Sequence, residues 1–183
     1  LVALIFTSPL LLFIAALVKC TSKGPIFYTQ ERVGFHEQAF KLVKFRTMVV
    51  GAEEKSGPQW ASKDDSRVTT IGRFLRKTRL DELPQLFNIL KGDMSFVGPR
   101  AFRRYFVEMF EQSVPFYSLK FSIKPGLTGW AQVNHYYRDE TQTLQDNVER
   151  LQYDLYYIKH ASLFLDLFII LKTIQTLIRR PAY

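Results

Sequence analysis

The chain has one cysteine, Cys20, among 183 residues. That excludes an internal disulfide and a cysteine-built zinc cluster. No clear base lies beside Cys20 in sequence, so it reads as a packing thiol and not a nucleophile. There is no G-x-x-x-x-G-K-[ST] loop and no G-x-G-x-x-G run, which removes a P-loop fold and a dinucleotide-binding fold. There is no G-x-S-x-G elbow. No D-x-D occurs, which counts against nucleotide-sugar transferases that bind metal through that motif. The three histidines, His36, His135 and His160, stand apart from one another and read as polar loop or surface residues. What remains for chemistry is a set of carboxylates: Asp81 and Glu82 together, then Asp93, Asp154 and Asp166. Hard oxygen ligands of this kind suit Mg²⁺, which commonly takes one or two carboxylates plus substrate phosphates.

Positive charge is plentiful. The formal net charge is +8, with 16 Phe and 9 Tyr alongside. Such a balance fits a polyanionic partner: nucleic acid, nucleotide phosphates or an anionic membrane face. The length suffices for one domain with a core, and no internal repeat or low-complexity tract occurs. The first 18 residues are apolar except for Thr7, Ser8 and Pro9. That run nearly reaches the ~20 residues needed to span a bilayer. Pro9 removes a helical hydrogen bond, and Ser8 is placed to satisfy the freed carbonyl. Periodicity leaves three readings open: a kinked spanning helix, a re-entrant hairpin, or a core helix of a soluble protein. The chain starts inside the apolar run, so residues upstream are expected to be missing. A signal peptide fits poorly, lacking both the basic lead and the small-residue cleavage site.

Beyond Lys19, residues 21–25 read as a turn. Residues 26–28 and 40–46 read as short strands around Gly34-Phe35-His36. Residues 51–68 read as a polar, mobile loop, and residues 71–79 and 82–90 as helices stopped by Gly92. Residues 96–100 read as a strand or turn carrying Arg100, and residues 102–111 as a helix. A tight loop at 124–130 leads into Ala131-Gln132-Val133. Residues 141–159 read as helix. Residues 162–180 are apolar around Asp166 and Lys172 and end in Arg179-Arg180, which suits an interfacial helix or a core helix. A carboxylate such as Asp166 inside an apolar helix needs a partner.

The most informative run is Leu80-Asp81-Glu82-Leu83-Pro84-Gln85. Asp81 reads as an N-cap, Pro84 as a first-turn residue, and the helix dipole as a device that keeps Asp81 ionised. Arg73, Arg76, Lys77 and Arg79 precede it. A nucleophilic carboxylate, a metal-holding carboxylate and phosphate-neutralising cations would then lie together. Taken locally, the same run is also a capped surface helix with solvated charges.

Six runs in order resemble the bacterial sugar transferase family, the catalytic module of monotopic phosphoglycosyl transferases. They are Ser8-Pro9; Gln30-Glu31-Arg32-Val33-Gly34; Lys44-Phe45-Arg46-Thr47-Met48; residues 80–85; residues 91–100, ending Gly98-Pro99-Arg100; and residues 124–133. Leu155-Tyr156-Tyr157 and Leu165-Asp166-Leu167 continue the match. The resemblance implies an α+β, mainly helical fold with a re-entrant helix-break-helix at Ser8-Pro9 (residues 1–19). A small β element and amphipathic interfacial helices would belong to a cytosolic catalytic domain (residues 20–183) on the bacterial inner membrane. It implies that Asp81 attacks the β-phosphate of a UDP-sugar, releasing UMP, and that polyprenyl phosphate then takes the sugar phosphate. Glu82, with Asp81, would hold Mg²⁺. Arg76, Arg100, Lys44 and Arg46 would hold phosphate oxygens, and Asp154 and Asp166 would help build the site. The partners implied are UDP-sugar, polyprenyl phosphate and membrane lipid, not nucleic acid, with homo-oligomerisation left open. Ala101, His135-Tyr136 and His160-Ala161-Ser162 depart from the common pattern and suggest an exopolysaccharide-type branch. Two other classes stay in view: a membrane-bound basic binding protein, in which Asp81→Asn would spare function, and a phosphatase-like hydrolase, which would not depend on the acceptor.

Overall fold

The computed structural model describes residues 1–54, 57, 65–134 and 143–179. Half of the expected loop at 51–68 lies outside these residues, as do His135, Tyr136, the expected helix start at Thr141 and Arg180. The fold is α+β and mainly helical.

The first helix, α1 (Val2–Thr21), is among the described residues the one helix long and apolar enough to cross a membrane. Helix assignment runs unbroken through Ser8-Pro9. The expected break is thus a lost hydrogen bond within one helix, not a gap between two. Pro9 has no N–H to offer the Ile5 carbonyl, and the Ser8 hydroxyl donates to that carbonyl at 2.8 Å. Leu11, Ile14 and Val18 are buried on one face, while Phe6, Leu12 and Phe13 on the others stay exposed. The last turns therefore dock most fully on the domain, and Leu4 adds a partly buried contact to the same core from the first turn.

Strands β1 (Phe27–Val33) and β2 (Ala39–Phe45) form an antiparallel hairpin in the register Phe27 opposite Phe45 and Val33 opposite Ala39. β1 is longer than expected because Thr29, Gln30 and Glu31 leave no apolar alternation to read. Pairing with β2 supplies what the pattern lacks. Phe45 carries the hairpin into a core with Leu11, Ile14, Val18 and Leu75. Leu75 lies in α2 (Thr70–Lys77), which opens on Thr69, whose hydroxyl accepts from the Gly72 N–H at 3.0 Å.

The helix expected at 82–90 divides. Residues Leu80–Glu82 form a 3₁₀ turn, and α3 (Gln85–Lys91) begins after Pro84 and ends at Gly92 with φ 91°. Asn88 ties α3 to the hairpin: its side chain accepts from the Val43 N–H and donates to the Lys41 carbonyl. The tight loop at 124–130 contains an unexpected strand, β4 (Gly126–Thr128), parallel to β3 (Ser95–Val97). Helix α4 (Arg104–Glu111) starts later than expected, because Phe102 pairs with Val33 instead. Phe102, Phe106, Phe110, Tyr117, Phe121 and Leu151 make a second core, fed by a 3₁₀ segment Tyr117–Ser122 that the sequence did not suggest. Helix α5 (Trp130–Asn134) leads toward α6 (Leu144–His160), which opens on a capping box between Thr143 and Asp146. Helix α7 (Leu163–Arg179) buries Ile169 against Val97 and Tyr157 and leaves Leu163, Phe164, Leu167 and Leu171 exposed. One buried edge with a broad apolar outer face fits the interfacial reading better than the core reading.

Candidate active site

Asp81 and Glu82 are where the local geometry departs most from expectation. Arg79 adopts a left-handed conformation (φ 58°, ψ 13°) that ends α2 and turns the next residues inward. Asp81 is not an N-cap. It sits inside the 3₁₀ turn, and Pro84, not Asp81, precedes the first turn of α3. The two carboxylates are buried instead of solvated, at 7% and 8% exposure.

Cations converge on Glu82. Its Oε1 lies 2.6 Å from Lys44 Nζ, which donates to it, 3.6 Å from Arg100 Nη2 and 4.0 Å from Arg79 Nη1. Burial alone would raise the Glu82 pKa, but Lys44, Arg100 and Arg79 outweigh it and hold the carboxyl well below the usual carboxylate range. Asp81 goes the other way. Burial pushes it up to about 6, and the ionised Glu82 adds to that, against the pull of Lys44, Arg79 and Arg76. Its Oδ1 is buried with no hydrogen-bond partner. The helix dipole therefore does not govern Asp81; desolvation does. Two adjacent carboxylates are pushed to opposite protonation behaviour, the usual arrangement where two acids carry different roles. Burial also lowers the Lys44 pKa, with Glu82 opposing.

The other expected residues divide. Arg76 is oriented by donating from Nε to Thr47 Oγ1 at 2.8 Å and acts on Asp81. Arg100 belongs to the cluster through Glu82. Arg46 does not join it. Its guanidinium donates to the Ser22 carbonyl at 2.9 Å, the Ser22 hydroxyl at 2.8 Å and the Lys23 carbonyl, so it closes the end of α1. Asp154 pairs with Lys120 at 3.4 Å deep in the second core. Asp166 accepts from the Tyr157 hydroxyl at 2.6 Å, and that hydroxyl lies 3.5 Å from the Val97 carbonyl oxygen. Burial first and Asp166 second raise the Tyr157 pKa. Asp166 thus braces the frame behind β3, Asp154 braces the second core, and neither is bonded within the Asp81–Glu82 cluster.

That frame aims Arg100. The Gly98 N–H donates to the Thr128 carbonyl at 2.9 Å and the Gly126 N–H to the Pro99 carbonyl at 3.0 Å. The two backbones approach so closely that a Cβ on Gly98 would strike the Lys124 carbonyl, and one on Gly126 would strike the Gly98 nitrogen. The runs ending Gly98-Pro99-Arg100 and starting Lys124-Pro125-Gly126 are therefore one structural unit.

Sequence reasoning did not single out Arg32, Gln85 or Thr47. Arg32 and Gln85 line a cleft with Lys44, Arg100, Met94 and Leu127, and Thr47 orients Arg76. Arg32 stood inside one of the six runs, but the signal for it is spatial: only the hairpin carries it to Arg100. Among the described residues no three His, Cys, Asp or Glu side chains could hold a metal ion together. A metal at Asp81 and Glu82 would need oxygens from a substrate. Buried, oppositely tuned carboxylates ringed by four cations are an arrangement suited to phosphate chemistry.

The comparisons agree with that class. The profile of the bacterial sugar transferase family matches residues 1–180, and the chain belongs to this family. It is 45% identical over 177 residues to a UDP-N-acetylgalactosamine-undecaprenyl-phosphate N-acetylgalactosaminephosphotransferase of Aeromonas hydrophila, covering 97% of this chain and 41% of that protein. It is 46% identical over 181 residues to a UDP-glucose:undecaprenyl-phosphate glucose-1-phosphate transferase of Klebsiella pneumoniae, covering 98% of this chain and 38% of that protein. It is 39% identical over 181 residues to an exopolysaccharide production protein of Rhizobium leguminosarum bv. phaseoli, covering 97% of this chain and 90% of that protein. The chain thus spans about two-fifths of the first two relatives.

Proposed function

We propose that the protein is a phosphoglycosyl transferase that moves a sugar-1-phosphate from a UDP-sugar to polyprenyl phosphate, giving polyprenyl-diphosphate-sugar and UMP. The observation that carries this reading is the buried Asp81 carboxylate, with an unpartnered Oδ1, beside Glu82 and its cations. In the first step an Asp81 oxygen forms a bond to the β-phosphorus of the donor. The bond from that phosphorus to the oxygen bridging it to the α-phosphorus breaks, and the electron pair leaves on UMP. In the second step a phosphate oxygen of the acceptor bonds to the same phosphorus, and the bond to Asp81 breaks. A carboxylate is an established covalent nucleophile in phosphoryl transfer. Arg76, Arg100 and Lys44 supply the charge neutralisation such a transfer needs.

Mg²⁺ fits the donor set. Two adjacent carboxylates, one with an unpartnered buried oxygen, leave the remaining coordination to substrate phosphates. Asp81 and Glu82 would hold it, and it would neutralise charge on the diphosphate. The long isoprenoid tail of the acceptor is insoluble in water, so the site belongs at a membrane surface. The exposed apolar faces of α1 and α7 support that placement, and a re-entrant α1 would put the site on the cytoplasmic face of the inner membrane. The identity of the relatives supports exopolysaccharide or a related glycoconjugate as the downstream product.

The test is UMP release from nanodisc-embedded protein given Mg²⁺, polyprenyl phosphate and a panel of UDP-sugars. Release with one donor, dependent on acceptor and abolished by Asp81→Asn, supports the reading. A single UMP per site without acceptor is the first step alone; continued release without acceptor would point to a hydrolase, and anion binding without any release to a binding protein.

A further inference from the structure

Arg32 lies outside the reaction steps above, yet its surroundings are hard to explain by packing alone. It stands on β1, paired opposite Phe40, and lines the cleft shared with Lys44, Gln85 and Arg100. Its Nη2 donates to Gln30 Oε1 at 2.6 Å, and its Nη1 reaches the Ala101 carbonyl at 3.5 Å. Its Nε is buried with no hydrogen-bond partner. A guanidinium is the residue of choice where a planar anion is to be gripped by two parallel N–H bonds. Here the fork is held by a neighbouring amide at one corner and a long contact at another, with no carboxylate bonded to it.

The charge balance is one-sided. Three cations, Arg32, Lys44 and Arg100, share the cleft wall, with Glu82 touching two of them. Arg103 is neutralised by a bidentate pair with Glu53 at 2.9 Å. Burial is the main force lowering the Arg32 pKa to about 10, and Arg100 and Arg103 come next, ahead of the opposing pull of Glu82. Grouping cations out of water costs free energy unless an anion completes the set. A surface stabilised by its ligand and strained without it is the signature of a binding site, not of a structural ion pair.

We propose that Arg32 is a further phosphate-binding residue, which with Arg100 and Lys44 grips a phosphate group in the cleft that the three line. This rests on the transferase reading for the source of that phosphate: either the donor's diphosphate or the acceptor's monophosphate. Arg32 acts as a binding residue, and its loss weakens ligand binding without removing the nucleophile.

The experiment compares wild type, Arg32→Gln and Arg32→Lys in nanodiscs. It measures dissociation constants for UDP and, separately, for polyprenyl phosphate, along with thermal unfolding free of ligand. The expected result is that Arg32→Gln weakens one of the two ligands by about 10- to 100-fold. Arg32→Lys should lose less. Ligand-free unfolding temperature should hold or rise in Arg32→Gln, which relieves like-charge crowding, and should hold in Arg32→Lys, which keeps the charge. The arm that weakens names the source: UDP for the donor, polyprenyl phosphate for the acceptor. Unchanged binding of both ligands to Arg32→Gln would overturn the proposal, as would weakened binding accompanied by a lowered ligand-free unfolding temperature in both variants, which would mark Arg32 as structural. If Arg32→Gln does not fold, Arg32→Lys carries the test alone: weaker binding at an unchanged unfolding temperature supports it, and wild-type binding overturns it. The transferase reading fails separately, by absence of UMP release from wild type with any donor, whatever Arg32 does to binding.

Discussion

Replacing Asp81 with asparagine should make the protein more stable while ending turnover. Asp81 is 7% exposed, its Oδ1 lacks a hydrogen-bond partner, and its pKa stands at about 6 against an ordinary 3.8. Each pKa unit is worth about 1.4 kcal/mol, so holding Asp81 ionised in the fold costs about 3 kcal/mol. The sign follows from the direction of the shift. The unfolded chain releases this proton near 3.8 and the folded one near 6, so the penalty is absent below 3.8, grows between the two values and is complete above 6. Asparagine keeps the shape and removes the charge. At pH 8, Asp81→Asn should therefore gain about 3 kcal/mol, or about 6–12 °C in unfolding temperature for a chain of this size. At pH 4 the gain should vanish. Thermal unfolding in nanodiscs at both pH values, with UMP release measured on the same samples, checks this. A variant no more stable than wild type at pH 8, or one equally stabilised at both pH values, would refute the claim that burial of an ionised Asp81 strains the fold for the sake of reactivity.

Three further outcomes are expected. Lys44 exerts the strongest charge effect lowering the Asp81 pKa, so Lys44→Met should move the acid limb of the UMP-release profile from about 6 upward by ~1 pH unit or more; single-turnover rates between pH 5 and 9 read this directly. Lys120→Met should destabilise the protein by about 3 kcal/mol, because it removes the Lys120 half of a buried ion pair and leaves Asp154 with Arg150 alone; unfolding temperatures of the variant and wild type test this. Gly98→Ala should lower kcat/KM for the donor together with stability, since the new Cβ drives β3 away from the Lys124 carbonyl and shifts Arg100; steady-state kinetics beside thermal unfolding would show both.

The helices with strong local signals were readable in advance. The apolar run of α1, the stop at Gly92 and the apolar stretch of α7 are all set by neighbours in sequence. The family and the Asp81-Glu82 pair were equally legible, because motif spacing survives in one dimension. Strand β4 and the upper part of β1 were not, since their partners lie far along the chain and their own residues carry no period-2 pattern. Arg46 illustrates the same limit within a motif. It sits two residues from Lys44 in sequence, yet one points to Glu82 and the other closes the end of α1.

Sequence alone determined which chemistry was available: carboxylates without a histidine or cysteine cluster, an excess of cations, and an apolar segment to bring them to lipid. Only the tertiary structure decided that Asp81 is strained and Glu82 is not. Both are acids at adjacent positions and indistinguishable by composition. Burial desolvates both, but Lys44 and Arg100 converge on one of them, and charge separation falls off with distances that only the folded chain sets.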